Sequence, residues 1–355
     1  MHHDPVAAHV TQPRVGVLLV NLGTPDAPTP AAIRRYLGEF LSDPRVIEIP
    51  RAIWWPILHG FILPFRPRRL AHAYASIWYE NGAPLLVHTR ALAAGVEAGL
   101  SGGNGKPAIP VFPAMRYGSP SIASALADAR ERGVRRLVVI PLYPQYSATT
   151  TASVMDAVFD NLSGERWMPE LRSVHSYHDD PGYIAALAES VRRHWDAHGR
   201  GEHLLMSFHG IPQRYFDAGD PYHCLCHKTA RLLAEALDLD DSTCSVTFQS
   251  RFGKAPWLQP YTDERIDALA AAGVRRLDAI CPGFASDCLE TLEEMAMQYG
   301  DRFRAAGGEA LRYIPALNAD DAHVEAITTL ARRQLDGWMP GAIDPELIAR
   351  RAAVL

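Results

Sequence analysis

The chain reads as an α/β protein made of two similar halves, each a parallel sheet flanked by helices, arranged around a central cleft. Two observations predict this. The first is an internal duplication: Gly-Val-Arg-Arg-Leu occurs at 133–137 and again at 273–277. Each copy runs into a short apolar strand, Val138-Val139-Ile140 or Asp278-Ala279-Ile280, and each strand ends at a proline, Pro141 or Pro282. Upstream, Arg116-Tyr117-Gly118 is echoed by Arg251-Phe252-Gly253, and Val15–Val20 with its Asn21-Leu22-Gly23-Thr24-Pro25 loop by Leu204–Phe208 with His209-Gly210-Ile211-Pro212. Three echoes in one order mark a repeated unit. The second observation is alternation. Apolar strands are separated by helical patterns of about ten to fifteen residues, the signature of βαβ units and parallel sheets.

In chain order, Val15–Val20 is an apolar run suited to a strand buried on both faces. Ala52–Phe65 is the longest uncharged apolar stretch, yet Pro56, His59, Gly60 and Pro64 interrupt it, and it is too short to cross a bilayer. Ser121–Arg132, Pro181–His194, Lys228–Leu237 and Asp263–Ala272 carry apolar residues every three or four positions and read as helices. Ser286 or Asp287 caps a further helix after the last strand. The halves join near Asn161–Pro169, which divides the chain into domains 14–165 and 166–319. Residues 320–355 supply a terminal helix, Asp321–Leu335, that packs back on the first half, and a tail. Ligands of open parallel sheets bind where the loops diverge, at the carboxyl ends of the strands. The loops after Val20, Ile140, Phe208 and Ile280 would therefore surround one cleft.

Of the 355 residues, 48% are hydrophobic and 21% charged, with a net charge of −5. That is a soluble globular balance with no basic footprint for nucleic acid. Five cysteines without regular spacing build no disulfide framework, and Met1–Pro13 has no apolar secretory core, so the expected compartment is the cytoplasm. Gly102-Gly103-Asn104-Gly105-Lys106 fails as a phosphate loop, because Leu100 stands where glycine is needed and Pro107 where Ser or Thr is needed.

Few residues invite chemistry. His209 ends an apolar strand, where imidazole can accept a proton or bind a metal. Asp287, Glu290 and Glu294 are spaced three and four apart, so they share one helix face. This is either a solvated acidic N-terminus or a path for cations and protons. Cys224 and Cys226, flanked by His223 and His227, could hold an iron–sulfur or zinc site with Cys244, although free thiols are the expected state. Trp54–Phe65, followed by Arg66, Arg68 and Arg69, is either core or an exposed lip for a flat apolar ligand or a membrane surface.

Several of these segments together resemble the ferrochelatase family. The carriers are Val20-Asn21-Leu22-Gly23-Thr24-Pro25, Phe40-Leu41-Ser42-Asp43, Met115-Arg116-Tyr117, Tyr143-Pro144-Gln145-Tyr146-Ser147, Ser207–Pro212, Phe248–Gly253 through Trp257, and Cys281–Glu290. The resemblance spans Val15–Asn318 and implies the chelatase fold, two Rossmann-like domains around a porphyrin cleft. It implies insertion of Fe²⁺ into protoporphyrin IX to give protohaem, the last step of haem biosynthesis, with release of two protons and no further cofactor.

By resemblance, His209 and Glu290 are the catalytic and metal-binding pair, and Asp287 and Glu294 an acidic row beside them. Leu22, Arg116, Tyr117, Tyr143, Trp257 and Phe284 correspond to pocket residues, and the segment near Trp54 to a porphyrin-entry lip that touches the membrane in some members. Two departures stand out. Ala148 occupies an internal cluster-ligand position of animal members and no cysteine follows Cys288, which excludes that type of iron–sulfur cluster. Leu22 replaces the tyrosine of certain Gram-positive relatives that use coproporphyrin. The rival readings are a chelatase for coproporphyrin, another tetrapyrrole or another metal, a non-catalytic tetrapyrrole carrier, and a zinc hydrolase, which lacks a second nearby histidine.

Overall fold

Among the described residues, eight strands form two four-stranded parallel sheets of identical topology. The computed structural model describes residues 14–101 and 108–338, so the 102–106 loop and the tail beyond 338 lie outside it. In the first sheet the order is β2-β1-β3-β4, with β1 Arg14–Thr24, β2 Val111–Gly118, β3 Val134–Pro141 and β4 Glu170–Ser173. In the second it is β6-β5-β7-β8, with β5 His203–His209, β6 Cys244–Gln249, β7 Arg276–Ile280 and β8 Ala310–Ile314. The repeated pentapeptide leads into β3 and β7, and the Arg116 and Arg251 echoes fall at the ends of β2 and β6. Val17, Leu18, Leu19 and Val20 are fully buried, as a central strand covered on both faces requires.

In this strand order the chain reverses direction across the sheet beside β1 and again beside β5. Such switch points open a crevice at the strand ends. In the second sheet the crevice lies between β5, which ends at His209, and β7, which feeds the loop Cys281–Cys288.

The helices follow local chemistry. Pro181–His198 starts with Asp180 accepting from the backbone of Gly182 and Tyr183, has Pro181 at its first position, and stops at Gly199 with φ +74°. The terminal helix Asp321–Leu335 lies against both Pro84–Leu100 and Pro181–His198. Gly95 permits the first of these crossings, since a Cβ there would sit 2.9 Å from the Val324 side chain. One apolar core runs through both halves, from Val17 and Leu19 to Leu204, Phe208 and Ile327.

The expected boundary at 165/166 is misplaced. β4 pairs with β3 and belongs to the first sheet, so the first unit extends past Ser173. β4 is an edge strand with no fully buried residue, and its Glu-Leu-Arg-Ser sequence carries no apolar run. The predicted lip is an insertion after β1: helices Arg51–Ile57 and Leu63–Ile77 joined by a π-turn, Leu58–Ile62. Trp54 is buried, its indole donating to the Leu41 carbonyl at 2.7 Å, whereas Ile53, Trp55, Phe61 and Phe65 are exposed. Among the described residues no helix is long and apolar enough to cross a membrane.

His323, in the terminal helix, gives the fold a specific acid sensitivity. It is fully buried, its Nδ1 donates to the Asn318 carbonyl at 2.7 Å, and burial lowers its pKa to about 4. Below pH 6.5 the unfolded chain takes up a proton that the folded chain refuses, so stability falls as pH drops toward 4. The expected loss from this residue is about 2 kcal/mol between pH 7 and 5. Urea unfolding at both pH values checks it: His323→Asn should lower stability at pH 7 but flatten the slope.

Candidate active site

His209 is the last residue of β5, paired across to Gln249 on β6. Its Nδ1 lies 2.6 Å from the carbonyl oxygen of Gly210. A carbonyl only accepts, so Nδ1 carries a proton, and in the neutral ring it is Nε2 that holds the lone pair. Gly210 is required at this turn: a Cβ there would stand 2.9 Å from the Gln249 carbonyl and 3.2 Å from the Trp257 ring. The chain thus passes directly beneath Trp257, whose indole nitrogen donates to the Phe252 carbonyl. Across the switch point, the Phe284 ring centroid lies 6.5 Å from that of His209.

The segment after this loop is a π-helix, Glu290–Tyr299, and not the α-helix expected. Neither Ser286 nor Asp287 caps it; the Ser286 hydroxyl is buried without a partner. In a π-helix the bonds run from i to i+5, so residues four and five apart lie above one another. Glu290 and Glu294 therefore keep a common face.

Asp287 does not share it. It precedes the helix and is buried, with Oδ1 accepting from Thr291, Tyr313 and the Ala316 backbone and Oδ2 from Asn318. The expected three-carboxylate row is a pair, and Asp287 is an internal anchor turned toward the β8 loop. Glu294 accepts from Ser250, from Gln249 at 3.2 Å and from Tyr299 at 3.0 Å. Burial raises its pKa; the charge of Glu290 adds to the rise, while Ser250, His209 and Tyr299 oppose it.

The facing wall comes from the first half. Burial holds the hydroxyls of Tyr36 and Tyr74 protonated far above their ordinary range, and the charge of Glu290 reinforces this in both. Leu289 packs on the same group, which includes Tyr117 and the partly buried Leu22. Arg66, from the lip, lies over the Phe252 ring at 4.8 Å and so bridges the two halves at the cleft edge. Tyr36, Tyr74, Ser250 and Tyr299 were not singled out from sequence; a tyrosine in a helix has no spacing that separates a cleft wall from a core. Ser250 lay within a quoted strand-end motif and was the one legible addition.

Arg116 and Tyr117 are both tied to Asp43. Asp43 receives the Arg116 guanidinium at 2.6 Å, the Tyr117 hydroxyl at 2.8 Å and the Ser153 hydroxyl at 2.6 Å. Arg116 also donates to the Ser153 carbonyl, and Tyr117 is 1% exposed. Both polar ends are paired inside the first half, where they brace the wall. Tyr143 is partly buried beside this network with its hydroxyl unpartnered. Cys224 is exposed, Cys226 and Cys244 are buried, and among the described residues no three His, Cys, Asp or Glu side chains converge on a metal position.

A sequence profile described as Ferrochelatase matches residues 14–335. The chain belongs to the ferrochelatase family. It is 55% identical over 330 residues to a protein named Ferrochelatase from Nitrosococcus oceani, covering 93% of this chain and 89% of that one. A protein of the same name from Thioalkalivibrio sulfidiphilus is 56% identical over 339 residues, covering 96% and 92%. Among solved structures, SirB from Bacillus subtilis with Fe³⁺ superposes with a TM-score of 0.56 at 11% identity, over 92% of this chain and 97% of that one. A cobalt complex of the sirohydrochlorin chelatase SirB from Bacillus subtilis subspecies spizizenii gives 0.54 at 9% identity, with the same coverage. These likenesses show the fold: both halves together make the two-domain chelatase architecture.

The Asp43 network yields a stability expectation. Asp43→Asn leaves Arg116 without its charge partner and should cost about 3 kcal/mol, the low end for a buried pair broken on one side. Chemical denaturation checks this, and Arg116→Met in the same background should recover part of the loss.

Proposed function

We propose that the protein inserts Fe²⁺ into protoporphyrin IX, yielding protohaem and two protons, with His209 and Glu290 at the reacting centre. The observation that carries this reading is the meeting of an imidazole with two carboxylates at the second sheet's switch point, opposite a wall of protonated tyrosines. A flat, largely apolar macrocycle fits between such a wall and the rings of Trp257 and Phe284. Metallation must strip two pyrrole protons. The Nε2 lone pair of His209 suits one transfer, its tautomer fixed by the Gly210 carbonyl. Glu290, carried like His209 by the second half, takes the other, and Glu294, whose raised pKa lets it hold a proton, passes charge on toward Ser250 and solvent.

Nitrogen and oxygen ligands hold Fe²⁺ loosely enough to release it, where thiolates would retain it. Cys281 and Cys288 are buried, and burial raises both thiol pKa values. Exposed Cys224 and buried Cys226, two residues apart on one helix, support free thiols and no resident cluster or zinc. Leu22, in place of tyrosine, favours protoporphyrin over coproporphyrin. The lip meets an anionic membrane surface from the cytoplasmic side: Ile53, Trp55, Phe61 and Phe65 are exposed beside Arg51, Arg68 and Arg69.

Iron insertion into protoporphyrin and coproporphyrin, measured side by side, tests the substrate. His209→Ala should abolish turnover in a folded protein. Glu290→Gln should keep porphyrin affinity and lose at least about two orders of magnitude in rate, with Glu294→Gln losing less. Wild-type stopped-flow traces from either of the first two would refute the assignment.

The lip is tested separately. Phe61 and Phe65 each contribute roughly 2 kcal/mol when inserted into an apolar phase. Replacing both by Ser should lower sedimentation with phosphatidylserine vesicles at least about tenfold, leaving turnover in detergent intact.

A further inference from the structure

We propose that Asn318 is a positioning residue for Glu290, acting through Asp287. It stands four residues past β8. Its side chain grips Asp287 twice: Oδ1 accepts from the Asp287 backbone N–H at 2.8 Å, and Nδ2 donates to Asp287 Oδ2 at 2.7 Å. Its own backbone N–H donates to the Ala285 carbonyl at 3.0 Å, and its carbonyl accepts from the buried His323. The loop before the π-helix is thus tied to the turn before the terminal helix by both side chain and main chain.

From Asp287 the coupling continues into the π-helix. Its other oxygen, Oδ1, accepts from the Thr291 hydroxyl at 2.9 Å, and that hydroxyl oxygen in turn accepts from the Cys288 backbone N–H at 3.0 Å. Thr291 is the residue after Glu290. The rotation of the first π-turn, and with it the direction of Glu290, is set by a carboxylate whose own placement is set by Asn318.

Three features point to an amide selected for this task. Asn318 has φ +51°, the left-handed region, where asparagine is among the few non-glycine residues tolerated. A carboxamide presents an acceptor and a donor together, which the N–H and the carboxylate of one aspartate require. A cavity of about 270 Å³, also lined by Ser190, His194 and His198, lies against Asn318. Tight packing does not hold the side chain on that side; hydrogen bonds do.

The inference deepens the iron-insertion reading and is tested with Asn318→Gly, Asn318→Asp, Asp287→Asn and the double variant Asn318→Gly/Asp287→Asn. Glycine keeps the backbone conformation and removes the grip. Aspartate keeps the shape and the left-handed φ but turns a second carboxylate against Asp287, so it carries the test should the glycine variant unfold. Both should lower kcat at least about tenfold, as a displaced catalytic group does, while the KM for protoporphyrin stays within about twofold because the tyrosine wall is untouched. In the double variant the loss should be no more than about twofold beyond that of Asp287→Asn alone, since both act on one link. Amide exchange over 288–294 should accelerate in Asn318→Gly, a readout independent of turnover. Wild-type kcat with unchanged exchange, or losses that multiply in the double variant, would overturn the proposal. Lack of turnover by the unaltered protein would instead fail the iron-insertion reading, and the exchange measurement would still decide this one.

Discussion

A single buried amide, that of Gln249, holds the chemistry-bearing segments in register. Its Oε1 accepts from Ser207 on β5 at 2.8 Å and from the Cys281 thiol at 3.6 Å. Its Nε2 donates to the Glu290 carbonyl at 2.9 Å and to Glu294 at 3.2 Å. Four bonds saturate the group, and the residue is 1% exposed. The strand that ends in His209, the loop that carries Phe284 and the helix that carries both glutamates therefore share one reference point. An unmet buried amide costs about 1–3 kcal/mol, so each segment is penalised for drifting from it.

The duplicated fold is used unequally. In the first half the position answering His209 is Asn21, whose amide donates to Thr89 and accepts from the Leu22 backbone. The loop after β3 carries Gln145, which donates to Thr229 of the second half. These are satisfied neutral groups, and with the Asp43 network they make the first half a rigid apolar wall. The second half leaves an imidazole nitrogen open and gathers two carboxylates. The same switch-point geometry thus supplies a surface on one side and a reactive centre on the other. Among the described residues, the three π-helical segments, Leu58–Ile62, Ala148–Ala152 and Glu290–Tyr299, occur in the lip or after loops at the strand ends, where regular α-helical bonding has given way to placing side chains.

Much of this was legible in the sequence because the duplication fixes strand order and the strand ends fix the cleft. The central strands are uninterrupted apolar runs, and His209 sits at the end of one. β4 escaped because an exposed edge strand carries no periodic signal. The π-helix escaped because its apolar spacing resembles that of an α-helix until the hydrogen bonds are seen. Asp287 was misplaced for the same reason: three-and-four spacing implies a shared face only if the helix has already begun. Arg116 and Tyr117 were assigned to the pocket by resemblance alone, and their partner Asp43 lies in a segment far off in the chain.

Removing Asp287 from the acidic face changes how the remaining pair works. Three exposed carboxylates would act as a diffuse cation trap, with every pKa near its ordinary value. Two carboxylates, one of them desolvated and hydrogen-bonded on both oxygens, are different in kind. Burial contributes the largest part of Glu294's raised pKa, and the charge of Glu290 adds less. Glu294 therefore retains a taste for protons whether or not Glu290 is charged. On the proposed iron-insertion reading, Glu290 is the member of the pair that would take a cation or a pyrrole proton. On that reading, a proton arriving at Glu290 would meet, one helical turn away, an acceptor prepared by desolvation. The buried anchor at Asp287 ties down the start of that turn, so the proposed direction of proton flow would depend on how the helix begins.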